Sequence, residues 1–209
     1  MSRILVCHAT PIEGEGLPDE VAGRTLVRLQ TGVGPVNATF AVTKFLLENR
    51  IDALLVCGVG GAYPGSGLEP VDVVSAESET YGDLGAEWAG GFLDLKALGY
   101  PASEGDSLLS DRMPLDLFPA TRRAVFVTCA TCTGTRERAD RIVSRTAGAV
   151  ESMEGAAIVD VARRLGVRVG EVRGISNLVG DRDRSAWRVA EAAAAARASL
   201  LAWIEAGGC

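Results

Sequence analysis

Three short segments carry side chains suited to acid–base or sugar chemistry, and each stands where a secondary-structure element ends. Met153-Glu154 precedes a run of small residues, Gly155, Ala156 and Ala157, at the entrance of an expected helix. Ser176-Asn177 closes a β-rich run from Val167 to Ile175. Glu13 and Glu15 lie in the turn-rich stretch from His8 to Gly16, directly after the apolar run Arg3 to Cys7. An acid at a helix entrance and a polar pair at the carboxyl end of the following strand face one crevice, and open α/β sheets bind their ligands in such crevices. Loops after strands are also where catalytic residues concentrate. A carboxylate offers two acceptor oxygens, whereas an asparagine amide offers one acceptor and one donor side by side. The remaining candidate is Cys129-Ala-Thr-Cys132. A zinc site needs two further ligands, and the only histidine, His8, is far away in sequence. Both cysteines therefore read as packing at a strand end, and no metal or other cofactor is expected.

These segments need strands and helices to position them. Arg3 to Cys7 and Ala53 to Cys57 are short continuous apolar runs, the pattern of strands buried on both faces. Leu26–Leu29, Val71–Ala76 and Ala124–Thr128 read as further strands. Helices are expected from about Val36 to Asn49, from Arg136 to Arg145, from near Met153 to the stop at Gly166, and from near Ser185 to Ile204. Between them, Thr31-Gly-Val-Gly-Pro is either a close-packed strand-to-helix turn or a ligand contact. The strand Ala53 to Cys57 runs into Gly58-Val59-Gly60-Gly61-Ala62, and a Gly/Pro loop follows. Residues 84–122 mix aromatic residues with Gly, Pro and Ser. They either wall the far end of a substrate or cover the sheet edge. With no internal repeat and no linker, residues 1–209 form one α/β domain.

The motifs Met153-Glu154-Gly155-Ala156-Ala157 and Arg173-Gly174-Ile175-Ser176-Asn177, together with Gly58-Val-Gly-Gly-Ala62 ahead of a Pro-Val-Asp-Val-Val strand, resemble the nucleoside phosphorylase / methylthioadenosine nucleosidase superfamily. Within it the resemblance is to the futalosine hydrolases. It implies a three-layer α/β/α fold around a mixed, largely parallel sheet, and cleavage of a purine N-glycosidic bond by water. On that resemblance Glu13, with Glu15 as the alternative, activates the water. Glu154 accepts from the two ribose hydroxyls, Met153 meets the ribose face, and Val59 and Gly60 lie in the ribose-and-nucleophile segment. Asn177 stands where adenine-cleaving relatives carry an aspartate. An amide pairs with a 6-oxo group and N7–H and mismatches a 6-amino group, so a 6-oxopurine such as hypoxanthine is the expected base. Gly58 and Leu55 occupy the places of a phosphate-binding serine and arginine. A phosphate dianion needs hydroxyl or cationic donors, and their loss favours water as the nucleophile. The resemblance further implies a menaquinone route, a homodimer or higher homo-oligomer, and an aromatic carboxylate on the 5′ side, for which Arg112 and Arg136 are candidate partners. Asp181 and Asp183, four and six residues beyond Asn177, are either reserve acids or loop salt-bridge partners of Arg182 and Arg184. Rival readings are a purine nucleoside phosphorylase, a methylthioadenosine-type nucleosidase and a non-catalytic nucleoside-binding module.

Composition fits these readings. The net charge of −6 gives no electrostatic case for nucleic acid or an anionic membrane. No apolar run reaches the length of a membrane span. Five cysteines scattered through apolar runs point to a reducing cytoplasm rather than a disulfide framework.

Overall fold

The computed structural model describes residues 2–100 and 112–209. The chain begins with strand β1 (Arg3–His8), a single helical turn α1 (Pro11–Gly14), strands β2 (Glu20–Val21) and β3 (Arg24–Gln30), and helix α2 (Pro35–Glu48). Then come β4 (Ala53–Ala62), β5 (Val73–Tyr81), a small hairpin of β6 (Gly85–Trp88) and β7 (Gly91–Asp94), β8 (Met113–Pro114) and β9 (Arg123–Thr128). Helix α3 (Arg136–Thr146), β10 (Val150–Ser152), α4 (Gly155–Arg164), β11 (Val169–Leu178) and α5 (Val189–Glu205) complete it.

The main sheet has the order β10-β9-β5-β11-β4-β1-β3-β2, with β8 beside β5. β1 pairs in parallel with β3 and β4, and β11 pairs in parallel with β4 but antiparallel with β5. The sheet is therefore mixed, as expected. Successive residues on β1 and β4 point to opposite faces. Leu5, Cys7, Leu54 and Val56 meet α2 and α4 on one side, while Ile4, Val6, Leu55 and Cys57 meet α5 on the other. Two helical layers thus enclose the sheet. Helix α3 seals a smaller cluster of Val127, Cys129, Ala139 and Ile142.

The structure departs from the sequence expectations in five places. The strand expected to end at Cys57 continues through Gly58–Ala62, the carboxyl half of β4, because this half is hydrogen-bonded to β11 along its length. Residues 150–152, read as loop, form β10. This strand pairs in parallel with β9 and returns antiparallel to β4 through Val150↔Ala62 and Glu151↔Gly61. As a result β4, β11, β5, β9 and β10 close into a ring, so the crevice is the mouth of a closed sheet rather than the edge of an open one. Gly60 permits the closure, since a Cβ there would press on Val150 and on the Glu151 backbone. Residues 85–94 form a hairpin outside the main sheet, while the 101–111 portion of the 84–122 region lies outside the described residues. The last helix starts at Val189 rather than near Ser185. Asp183 instead caps a short 3-10 turn, Arg184–Ala186, accepting from the Ser185 N–H and hydroxyl. Neither Asp181 nor Asp183 pairs with Arg182 or Arg184. Asp181 accepts from the Arg136 N–H, and both arginines lie against the Trp187 ring.

The alanine richness of α5 has a packing cause. Ala192, Ala193 and Ala196 are buried, and the Ala192 backbone lies so close to Gly174 that a Cβ on β11 would overlap it. Small residues on both partners bring α5 tight against β11 at the strand that carries Asn177.

Candidate active site

The carboxyl ends of β1, β4 and β11 converge on one cavity of about 360 Å³. Glu13, Val59, Gly60, Met153, Glu154 and Asn177 all line it. Glu15 is exposed and outside it.

Glu13 is placed by a local device. Thr10 is the N-cap of α1, Pro11 sits in its first turn, and Glu13 is the third helical residue. In this capping-box arrangement the glutamate reaches back to the chain before the helix. Its Oε2 accepts from Ala9 N at 3.0 Å, Thr10 N at 2.8 Å and Thr10 Oγ1 at 2.9 Å. The other oxygen, Oε1, accepts from Val59 N at 2.9 Å and stands 3.9 Å from Arg173 Nη1. A helix-entry acid and a site acid are here the same residue.

Glu154 stands at the N-cap of α4, but its side chain makes no capping bond there. It turns instead toward the cavity. Oε1 accepts from Gly34 N at 3.0 Å and Oε2 lies 3.7 Å from Arg173 Nη1. Gly34 has φ +93°, a conformation nearly exclusive to glycine. The Thr31–Pro35 turn therefore presents its N–H to Glu154 in addition to starting α2. Burial raises the Glu154 pKa, while Arg173 and the Gly34 N–H pull it down.

Between the two acids lies Arg173, 1% exposed. Its Nε donates to Glu171 Oε1 at 2.7 Å and its Nη1 to Val59 O at 3.1 Å. Nη2 is buried without a hydrogen-bond partner among the described residues. Burial disfavours the guanidinium charge, but Glu171, Glu154 and Glu13 more than offset this, so its pKa stands above the ordinary arginine value. Gly58 lies directly opposite on β4. A Cβ at Gly58 would overlap Glu13 Oε1 and crowd Arg173 Nη1.

Asn177 follows a β-bulge. The register of β11 against β4 shifts between Ile175 and Asn177, leaving Ser176 unpaired; bulges of this kind re-aim side chains. Ser176 Oγ lies 2.7 Å from Asn177 Oδ1 and 3.1 Å from Gly60 O, while Asn177 Nδ2 donates to Leu178 O at 3.1 Å. A flipped amide would set its oxygen against the Leu178 carbonyl, so the drawn orientation is the favourable one. Each end of the amide keeps one further hydrogen bond to offer a ligand.

The phosphorylase superfamily model matches residues 18–206. Futalosine hydrolase of Thermus thermophilus is 37% identical over 196 residues, covering 89% of this chain and 84% of that protein. The Streptomyces coelicolor futalosine hydrolase is 38% identical over 180 residues, covering 80% and 73% respectively. The chain belongs to the futalosine hydrolase family of the phosphorylase superfamily. The fold agrees. The 5′-methylthioadenosine/S-adenosylhomocysteine nucleosidase of Neisseria meningitidis superposes with TM-score 0.82 at 20% identity, over 99% of this chain and 100% of that one. The futalosine hydrolase of Helicobacter pylori superposes with TM-score 0.80 at 16% identity, over 98% of each chain.

Several residues of this family member's site were not legible as such in the sequence. Arg173 was visible only as part of a motif. Glu151, at the ring closure, accepts from Tyr63 Oη at 2.6 Å, Thr133 Oγ1 at 2.5 Å and Thr133 N at 2.8 Å. It lines the cavity with Arg182 and Trp187. Cys132, expected to pack, is exposed at the cavity, with Sγ 3.3 Å from Met153 Sδ. Cys129 is buried beside Tyr63, and burial pushes its thiol pKa up. Arg112 and Arg136 do not line the cavity. Arg112 donates to Thr146 O and Arg136 to Asp140.

Glu13→Gln replaces an acceptor that meets N–H donors at both oxygens. Either amide orientation sets NH₂ against a backbone N–H, so stability falls by about 1–3 kcal/mol, read as a lower urea midpoint. If Glu13 is the base, turnover falls by about 10²–10⁴-fold as well. Wild-type turnover in a folded Glu13→Gln protein overturns the assignment.

Proposed function

We propose that this chain hydrolyses the N-glycosidic bond of a 6-oxopurine nucleoside, futalosine, releasing hypoxanthine and dehypoxanthinyl futalosine, as a step toward menaquinone in the reducing cytoplasm. The observation that carries the reading is the arrangement of Glu13 and Glu154 about Arg173, with Asn177 on the same cavity. Glu154 accepts from the ribose hydroxyls. It also places negative charge near the oxocarbenium ion that forms as the C1′–N9 pair departs with the base, a charge present only in the transition state and therefore effective in catalysis. Met153 meets the ribose face. Oε1 of Glu13 takes the proton from a water whose oxygen bonds to C1′. Asn177 donates to O6 and accepts from N7–H of the departing base, which takes up a solvent proton. Arg182, at 5.0 Å over the Trp187 ring, offers the cation and apolar wall suited to an acidic aromatic 5′-substituent.

Water rather than phosphate is supported by two residues. The place of a phosphorylase serine is Gly58, and the space beyond its Cα is filled by Glu13 and Arg173. The place of a phosphorylase arginine is Leu55, fully buried in the apolar cluster under α5. Hypoxanthine release from futalosine should proceed without phosphate. Phosphate-dependent turnover giving a sugar 1-phosphate sinks the hydrolase, and purine affinity without base release at high enzyme concentration favours a binding module.

Self-association belongs to the same proposal. On α2, Val36 is 80%, Phe40 69% and Leu47 71% exposed, and Val36 and Phe40 border an apolar groove with Leu84 and Tyr81. Val33, exposed next to that helix, also lines the cavity. An apolar face of this kind marks an interaction surface, and a second copy seated on it extends the cavity wall. Phe40→Glu should convert a dimer to a monomer in light scattering, and a wild-type protein that is monomeric at micromolar concentration rules the interface out.

Asn177→Asp tests base recognition. In the native amide Nδ2 faces both the Leu178 carbonyl and the expected O6. An ionised aspartate sets oxygen against both, so kcat/KM for the hypoxanthine nucleoside should fall about 10- to 100-fold. Protonated aspartate restores the donor and can serve N7 of a 6-aminopurine, so the matched adenine nucleoside should fall less or improve. An unchanged ratio of the two kcat/KM values means that Asn177 does not read the base.

A further inference from the structure

Beneath the cavity floor, Arg173 rests on a second carboxylate layer that takes no part in the chemistry described above. Glu171 on β11 and Glu79 on β5 are both 0% exposed. Glu171 uses Oε1 to accept from Arg173 Nε at 2.7 Å. Glu79 uses Oε2 to accept from Thr128 Oγ1 at 3.1 Å. The two remaining oxygens, Glu79 Oε1 and Glu171 Oε2, are buried with no donor among the described residues. Both are aimed at one spot, since a Cβ on Gly155 would overlap Glu79 Oε1 and crowd Glu171 Oε2. Two acceptor oxygens facing each other away from water repel, and each unsatisfied buried acceptor is costly. One proton between them removes both problems.

We propose that Glu79 is a neutral carboxylic acid that donates its proton to Glu171, and that this shared-proton pair is a positioning device that holds Arg173 against Glu13 and Glu154. Glu171 retains the negative charge because Arg173 donates to its other oxygen. Thr128 fixes the acid from behind, donating its hydroxyl to Glu79 while accepting from Ala156 N at 2.7 Å at the start of α4. The chain Thr128–Glu79–Glu171–Arg173 thereby ties β9, β5 and β11 to the first turn of α4.

Charge balance supports the assignment. With Glu79 ionised, Glu13, Glu79, Glu154 and Glu171 would be four negative charges about a single buried cation. Protonating Glu79 reduces the excess by one, at the position farthest along the chain of contacts from Arg173. The charged and titratable groups facing Glu79 are Glu171 and Arg173 from β11 and Tyr81 from its own strand; the α4 residue against it is Gly155. Burial and the Glu171 charge both raise the Glu79 pKa, and Arg173 lowers it less. The folded state therefore holds a proton that the unfolded chain releases near pH 4–5, so this pair favours folding most below that range and its contribution declines as pH rises toward the folded-state value.

The test uses the whole protein with Glu79→Gln and Glu79→Ala. The glutamine amide can still donate to Glu171, whereas alanine leaves that oxygen bare. In difference infrared spectra at neutral pH, wild type should show the carbonyl stretch of a buried neutral carboxylic acid, and Glu79→Gln should lack it. Glu79→Ala should lose about 10- to 100-fold in kcat with a smaller change in KM, and Glu79→Gln should recover to within about threefold of wild type. Glu79→Gln should also flatten the decline of stability from pH 5 to pH 8. No neutral-acid band in wild type, or a band that survives in Glu79→Gln, overturns the proposal. Equal losses in the alanine and glutamine variants overturn the positioning role. The infrared measurement needs no substrate, so it stands apart from whether futalosine is the nucleoside cleaved.

Discussion

One buried cation governs this structure. Arg173 is nearly inaccessible to water, and a guanidinium keeps its charge there only if carboxylates surround it. Glu171 supplies the close contact at 2.7 Å, while Glu13 and Glu154 stand at 3.9 and 3.7 Å. These are looser than a hydrogen bond, which suits residues that must also face a ligand. The strong bond is thus spent on fixing the arginine, and the weaker attractions aim the two acids from opposite sides. Each acid is then locked by main-chain donors from a different element: Glu13 by the turn after β1 and by β4, Glu154 by the turn before α2. Geometry held by backbone N–H groups carries little side-chain entropy and varies little, which catalysis of a single bond cleavage needs.

Glycine makes that geometry possible at a few points. Gly58 leaves room for Glu13 and Arg173 to meet, Gly60 lets β10 close on β4, and Gly155 leaves room for Glu79 and Glu171. In each case the missing Cβ matters because of what occupies its place, not because of an unusual φ; none of the three has a positive φ. The same substitution to alanine therefore acts through different groups at the three sites, on the acid pair, on the ring and on the carboxylate layer below.

The sequence disclosed the parts of this design that are local. Apolar runs located β1 and the first half of β4, and the small-residue run after Glu154 located α4. The Thr-Pro-Ile-Glu turn at 10–13 is a local signature that fixes Glu13 over Glu15 once its helical turn is recognised. What stayed hidden depends on distant partners. Gly58–Ala62 does not read as strand because glycine is a poor strand former, yet β10 and β11 hold it extended. β10 is only three residues long and has no periodicity to detect. Arg173 and Glu171 look like solvated charges on a strand, and their burial follows only from the sheet closing over them. Arg182 reaches the cavity through a loop whose path no periodicity encodes.

The same charge pattern bears on the choice of nucleophile. Glu13, Glu151 and Glu154 line the cavity, and the buried Arg173 between Glu13 and Glu154 is already held by three carboxylates. A phosphate dianion entering beside Glu13 and Glu154 meets like charges at close range in a poorly solvated space, where repulsion is strong, and finds at Gly58 no hydroxyl to bind. Water carries no such charge. The negative excess that disfavours phosphate also favours a ribosyl cation as it forms. Exclusion of one nucleophile and stabilisation of the transition state for the other therefore have a common electrostatic source.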